Sequence, residues 1–124
     1  MKDFLMISTG AIFGANIRYW IGNWAAQKFG INFPFGTFLI NFSGSLLLGF
    51  FVTIITERFS INPQWRLLIS VGFFGAYTTF STYTLDSIHL LLKGQWQYGL
   101  FNLFGSTILG VAAAGAGIWL GKNL

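Results

Sequence analysis

The stretch Gly72-Phe-Phe-Gly75-Ala-Tyr-Thr78-Thr-Phe80-Ser-Thr-Tyr83 decides how this chain is read. It places glycines, hydroxyls and aromatic rings inside a sequence otherwise suited to lipid. Hydrocarbon offers no water to backbone N–H and C=O groups, so an interrupted helix survives there only where protein, a cavity or an ion satisfies them. Gly72 and Gly75 permit a break, and Thr78 to Thr82 can start a second half-helix. The carbonyl end of the first half would attract a cation and the N-terminal end of the second an anion. Phe80 and Tyr83 are three apart, which turns both rings to one side. The positive ring edges can face a small anion. Ordinary packing of the two rings is the competing reading.

Working outward, the surroundings are membrane-like. Of 124 residues, 54% are hydrophobic, 19% aromatic and 8% charged, against about 25% charged in a soluble domain. A spanning helix needs about 20 residues, so the expectation is an all-α integral membrane protein, a single domain over residues 1–124. Its four spans would cover 4–29, 35–57, 64–92 and 96–121, with the third broken at mid-membrane. Pro34 and Pro63 fit helix starts. Lys93-Gly94 fits a helix end. Trp20, Trp24, Trp65, Trp96 and Trp119 fall near span ends, as an interfacial belt requires. Lys2, Arg58, Arg66 and Lys122 would lie on one side of the membrane and Lys28 and Lys93 on the other. That bias is too weak to choose between one orientation and insertion in both.

Small residues form seams on two helices. Gly10, Gly14 and Gly22 share four-residue spacing with Arg18, and Asn102, Ser106, Gly110, Ala114 and Gly117 nearly do so. Such seams bring helices close in lipid. Arg18, near the middle of the first span, either holds carbonyls at a helix contact or stands as a fixed charge that draws an anion inward. Asp86 is the one acid placed within a span, where Arg18 or local water would partner it. Thr37, Asn41, Gly44, Ser45 and Leu48 share a face of the second span. The Asn41 amide can donate to an anion or bond another helix.

Enzyme classes find no support. The chain has no cysteine and one histidine, no carboxylate cluster and no phosphate-binding loop, so neither a catalytic metal nor an activated nucleophile is expected. The net charge of +4 fits anionic lipid headgroups better than nucleic acid.

Three motifs together carry a family resemblance. Gly14-Ala-Asn-Ile-Arg18-Tyr-Trp, Gly36-Thr-Phe-Leu-Ile-Asn41-Phe-Ser-Gly44 and the Gly72–Tyr83 stretch resemble the Fluc (CrcB-type) fluoride channels along the whole chain. The resemblance implies an antiparallel, dual-topology homodimer in a bacterial cytoplasmic membrane. It would conduct fluoride passively through two pores and confer fluoride resistance. The resemblance further implies a structural Na⁺ at the dimer centre, held by the backbone carbonyls of Gly75 and Thr78. By the same likeness Asn41, Phe80 and Tyr83 belong to the pore, with Ser81 and Thr82 beside them and Arg18 as the buried first-span arginine. Thr37 and Ser106 join the pore set as hydroxyl donors. Tyr83 departs from the family's usual phenylalanine, Ala76 from glycine, Asp86 from glutamate and Asn102 from tyrosine. A small four-span proton-coupled drug exporter is the competing class, and it needs a first-span carboxylate that the sequence lacks after Asp3. A non-transporting assembly subunit, using the seams only for packing, is a further rival.

Overall fold

The computed structural model describes residues 1–124, and all of its regular structure is helical. Helix α1 runs Lys2–Phe29 and α2 Phe35–Arg58; α3 covers residues 63–77, α4 Phe80–Leu92 and α5 Trp96–Asn123. The expected third span is therefore two helices in line of chain. Helices α2 and α5 are long and apolar enough to cross a membrane, and only 22% and 11% of their most apolar windows is buried. At 28 residues α1 reaches about 42 Å, a sufficient length, but it is not among the helices apolar enough to cross.

Local chemistry explains most boundaries. Gly30 ends α1 with φ 84°, and its N–H bonds the Ala26 carbonyl. Helix α2 starts at Phe35 as expected, with Pro34 at its cap rather than within its first turn. Asn62 accepts from the Gln64 N–H and Pro63 opens α3. Gly94, at φ 78°, lets its own N–H reach Leu91 and that of Gln95 reach Leu90.

The break itself lies elsewhere than expected. Gly72 and Gly75 are both helical, and the extended residues are Thr78 (φ −83°, ψ 157°) and Thr79 (φ −146°, ψ 117°). β-Branched threonine is at ease in extended backbone, and each hydroxyl caps a helix end. Thr78 Oγ1 donates to the Phe74 carbonyl at 2.9 Å, and Thr79 Oγ1 accepts from the Thr82 N–H at 3.2 Å. Gly72 serves contact instead, since a Cβ there would meet the Ile7 carbonyl of α1 at 2.5 Å.

Two close helix pairs carry the architecture: α1 against α3, and α2 against α5. Gly10 and Gly14 lie on the backbone of Leu68 and Phe73; Gly117 lies on Leu46, and Gly49 on Ala114. Both expected seams are thus helix contacts. The winding widens to π geometry over Ile54–Arg58, Leu67–Phe74 and Phe101–Gly105. A small core of Ile40, Phe74 and Tyr77 joins α2 to α3. Only 17 of 124 residues are buried, while Phe, Leu, Ile and Trp cover the outside. A surface so apolar belongs in lipid or against another protein.

Candidate anion site at the helix break

The break is held open by one side chain. Asn41 Nδ2 donates to the Thr79 carbonyl at 2.9 Å, and the Thr79 N–H donates to Asn41 Oδ1 at 2.8 Å. This paired bond satisfies both backbone groups of an extended residue that no helix can serve. The interhelical role left open for Asn41 is therefore filled, and one amide N–H stays uncommitted.

Polar recesses flank that pair. One, of about 350 Å³, is lined by Arg18, Tyr19, Asn23, Thr37, Thr79 and Thr82 among others. The other, of about 340 Å³, lies between α2, α4 and α5 and is lined by Asn41, Ser45, Phe80, Tyr83, Ser106 and Thr107 with small residues of α5. A smaller recess of about 230 Å³ joins Thr78 and Thr79 to Asn41, Phe80 and Tyr83. Thr79 thus lines the Arg18 side and the aromatic side alike. The Phe80 and Tyr83 rings are 5.8 Å apart with planes inclined by 42°, and Phe80 is 78% exposed.

Arg18 and Asp86 do not pair, for the one ion pair in the chain joins Lys122 to Glu57 at 3.9 Å. Thr37 Oγ1 instead donates to Asp86 Oδ2 at 2.9 Å. This leaves the Arg18 charge open to its recess and spends the Thr37 proton on the carboxylate. Ser81 is exposed, and its carbonyl accepts from Thr84 Oγ1 at 3.0 Å. Thr82 Oγ1 accepts from Thr79 Oγ1 at 3.0 Å and keeps its own proton free.

On α5, Asn102 is fully buried and donates to Ser87 Oγ at 2.8 Å, while Ser106 Oγ donates to Asn102 Oδ1 at 3.2 Å. Asn102 thereby has the partners that its place on a buried face demands. The Tyr83 hydroxyl donates to the Leu103 carbonyl and lies 2.8 Å from Thr107 Oγ1. The sequence carried no sign of this tether, whose acceptor Leu103 lies in the π-wound turn Phe101–Gly105.

No group of His, Cys, Asp or Glu converges here, so a cation would rely on uncharged oxygens. The Thr78 carbonyl accepts no hydrogen bond. The N–H groups that would normally reach Gly75, those of Thr78 and Thr79, go to Phe74 and Asn41. Gly75 faces outward, with only the Ser70 carbonyl within 4 Å of a Cβ built there. Bare carbonyls without competing donors suit a hard cation such as Na⁺.

These features define an all-helical membrane protein organised around a polar helix break. The model of the family described as CrcB-like protein, Camphor Resistance (CrcB), matches residues 5–118, and the chain belongs to that family. Similar proteins include the fluoride-specific ion channel FluC of Trichormus variabilis, 52% identical over 95% of this chain and 87% of that protein. The fluoride-specific ion channel FluC of Koribacter versatilis is 46% identical over 94% of each chain. The protein of that name from Sulfurihydrogenibium is 37% identical over the full length of both.

Proposed function

We propose that this protein is a passive, fluoride-selective channel and not an enzyme. The observation that carries the reading is the Asn41–Thr79 pair standing between an unpaired arginine and a groove edged by Phe80 and Tyr83. Arg18, which forms no ion pair, raises the local anion concentration. Beyond the pair, uncharged N–H and O–H donors and ring edges replace the water shell of a small anion, and several moderate sites let it move on. Membership of the CrcB family and relatives named fluoride-specific ion channels support fluoride as the ion. The drug-exporter reading is not supported, because α1 has no acid beyond Asp3 and Asp86 is bound by Thr37.

The working form is an antiparallel homodimer of four-span subunits inserted in both orientations in a bacterial cytoplasmic membrane. The exposed Phe80 ring and the open face at Gly75 support it, since a second copy would cover both. Each dimer would hold two pores. The carbonyls of Gly75 and Thr78 would hold a central Na⁺, which supplies fixed positive charge where the breaks meet.

Ion loss from liposomes containing the purified protein, with potassium and valinomycin to shunt the voltage, tests the reading. Fluoride is expected to leave and chloride to stay. Phe80→Ile is expected to abolish fluoride loss while the protein elutes as a dimer. Unchanged flux in that variant would remove Phe80 from the pathway, and no fluoride loss from well-incorporated native protein would overturn the reading.

A further inference from the structure

We propose that Ser45 supplies the free hydroxyl of the groove and is a fluoride-contacting residue of the pathway; this rests on the channel reading above. The inference comes from following each proton on the groove wall. Ser106 sends its proton away from the groove to Asn102 Oδ1, and the Tyr83 proton goes to the Leu103 carbonyl. Thr107 Oγ1 bonds back to Leu103 at 2.6 Å. The next position along α5, Gly110, has no side chain to offer. Ser45 is the one hydroxyl lining this groove that makes no hydrogen bond within the chain.

Ser70 Oγ also lacks a partner, but that atom is buried, whereas Ser45 lines two recesses. In a helix with apolar surroundings the hydroxyl ordinarily bonds back to the preceding turn, as Thr9, Thr56 and Ser87 do here. Ser45 is half-buried, lines both the α5 groove and the smaller recess at Thr78–Thr79, and leaves its proton available. It follows Asn41 by four residues, about 6 Å along α2. The spare Asn41 N–H and the Ser45 O–H therefore form consecutive neutral donors on one face. An anion leaving Asn41 meets Ser45 before any other unspent hydroxyl on this wall.

The geometry also supplies a rescue. A Cβ at Gly110 would lie 3.8 Å from Ser45 Oγ with nothing else within 4 Å, so the opposite wall has room for a replacement hydroxyl. Fluoride efflux from liposomes is compared for the native chain, Ser45→Ala, Ser45→Thr and the double variant Ser45→Ala with Gly110→Ser. Ser45→Ala is expected to slow efflux on the order of tenfold, the loss of one hydrogen bond to a charged ion. Ser45→Thr keeps most of the rate, and the double variant regains it. Native flux in Ser45→Ala overturns the proposal, as does a loss that neither Ser45→Thr nor the added serine recovers, which would mark a packing role. Absence of fluoride efflux from the native chain would instead sink the channel reading itself.

Discussion

Helix α2 makes two contacts of opposite character. Its second half meets α5 closely, backbone to backbone at Leu46 on Gly117, Gly49 on Ala114 and Phe50 on Gly121, with the Thr53 side chain also against Gly121. Its first half meets the helix break through Asn41, whose amide replaces a missing strand of hydrogen bonds at Thr79. The dry contact fixes where the helices stand, and it leaves no room for a methyl group. The polar contact does not draw the elements together so tightly; it keeps recesses open on either side of Thr79. Fold and proposed conduction thus reside in different halves of one helix, and substitutions can address them separately.

The largest effect is expected in the dry half. In Gly117→Ala the new methyl would overlap the Leu46 carbonyl, a backbone atom that cannot swing aside. Overpacking of this kind costs about 3 kcal/mol, so the variant is expected to lose its monodisperse peak in detergent and its thermal transition to fall sharply. Gly115→Ala, with nothing within 4 Å of its Cβ, is the control and keeps both. Equal behaviour of the two variants would show that the α2–α5 seam is not the fixed element.

The polar half is expected to separate folding from flux. Asn41→Leu strands the Thr79 N–H and carbonyl, at about 1–3 kcal/mol for each unsatisfied group. The α1–α3 and α2–α5 contacts remain in place, so the protein is expected to elute as the native chain does. Fluoride efflux is expected to fall by about a hundredfold or more, since the same side chain orders the break and offers a donor. Native flux in a well-folded Asn41→Leu protein would break the division drawn between the two halves of α2.

Legibility in the sequence follows the same division. The seams were readable because close approach in lipid needs small residues at helical spacing, and Gly10, Gly14 and Gly117 have that spacing. Helix ends were readable at Asn62-Pro63 and Lys93-Gly94, where one residue type meets a specific backbone need. The break was placed correctly only as a region. Glycine suggested its position, but the extended residues are Thr78 and Thr79, whose capping hydroxyls become visible only with their acceptors. Proton direction was not readable at all. Thr37 and Ser106 look like equivalent donors in sequence, yet one is spent on Asp86 and the other on Asn102. The π turns have no compositional marker, so the acceptor they present to Tyr83 stayed hidden.

The smallest effect sharpens that last point. Tyr83 adds a hydroxyl where the family usually has phenylalanine, a change in the groove lining that bears on fluoride passage. The structure ties that hydroxyl to α5 at the groove wall, where the Leu103 carbonyl also accepts from Thr107. Tyr83→Phe therefore removes one bond without leaving that carbonyl bare, and is expected to cost about 0.5–1 kcal/mol of stability, read as a small fall in the thermal transition. Because the variant keeps the aromatic ring beside Phe80, fluoride efflux is expected to stay within about threefold of native, a change of about 0.7 kcal/mol in barrier. A rise beyond tenfold would place the hydroxyl in the ion's way and make α4, rather than α2, the element that limits conduction.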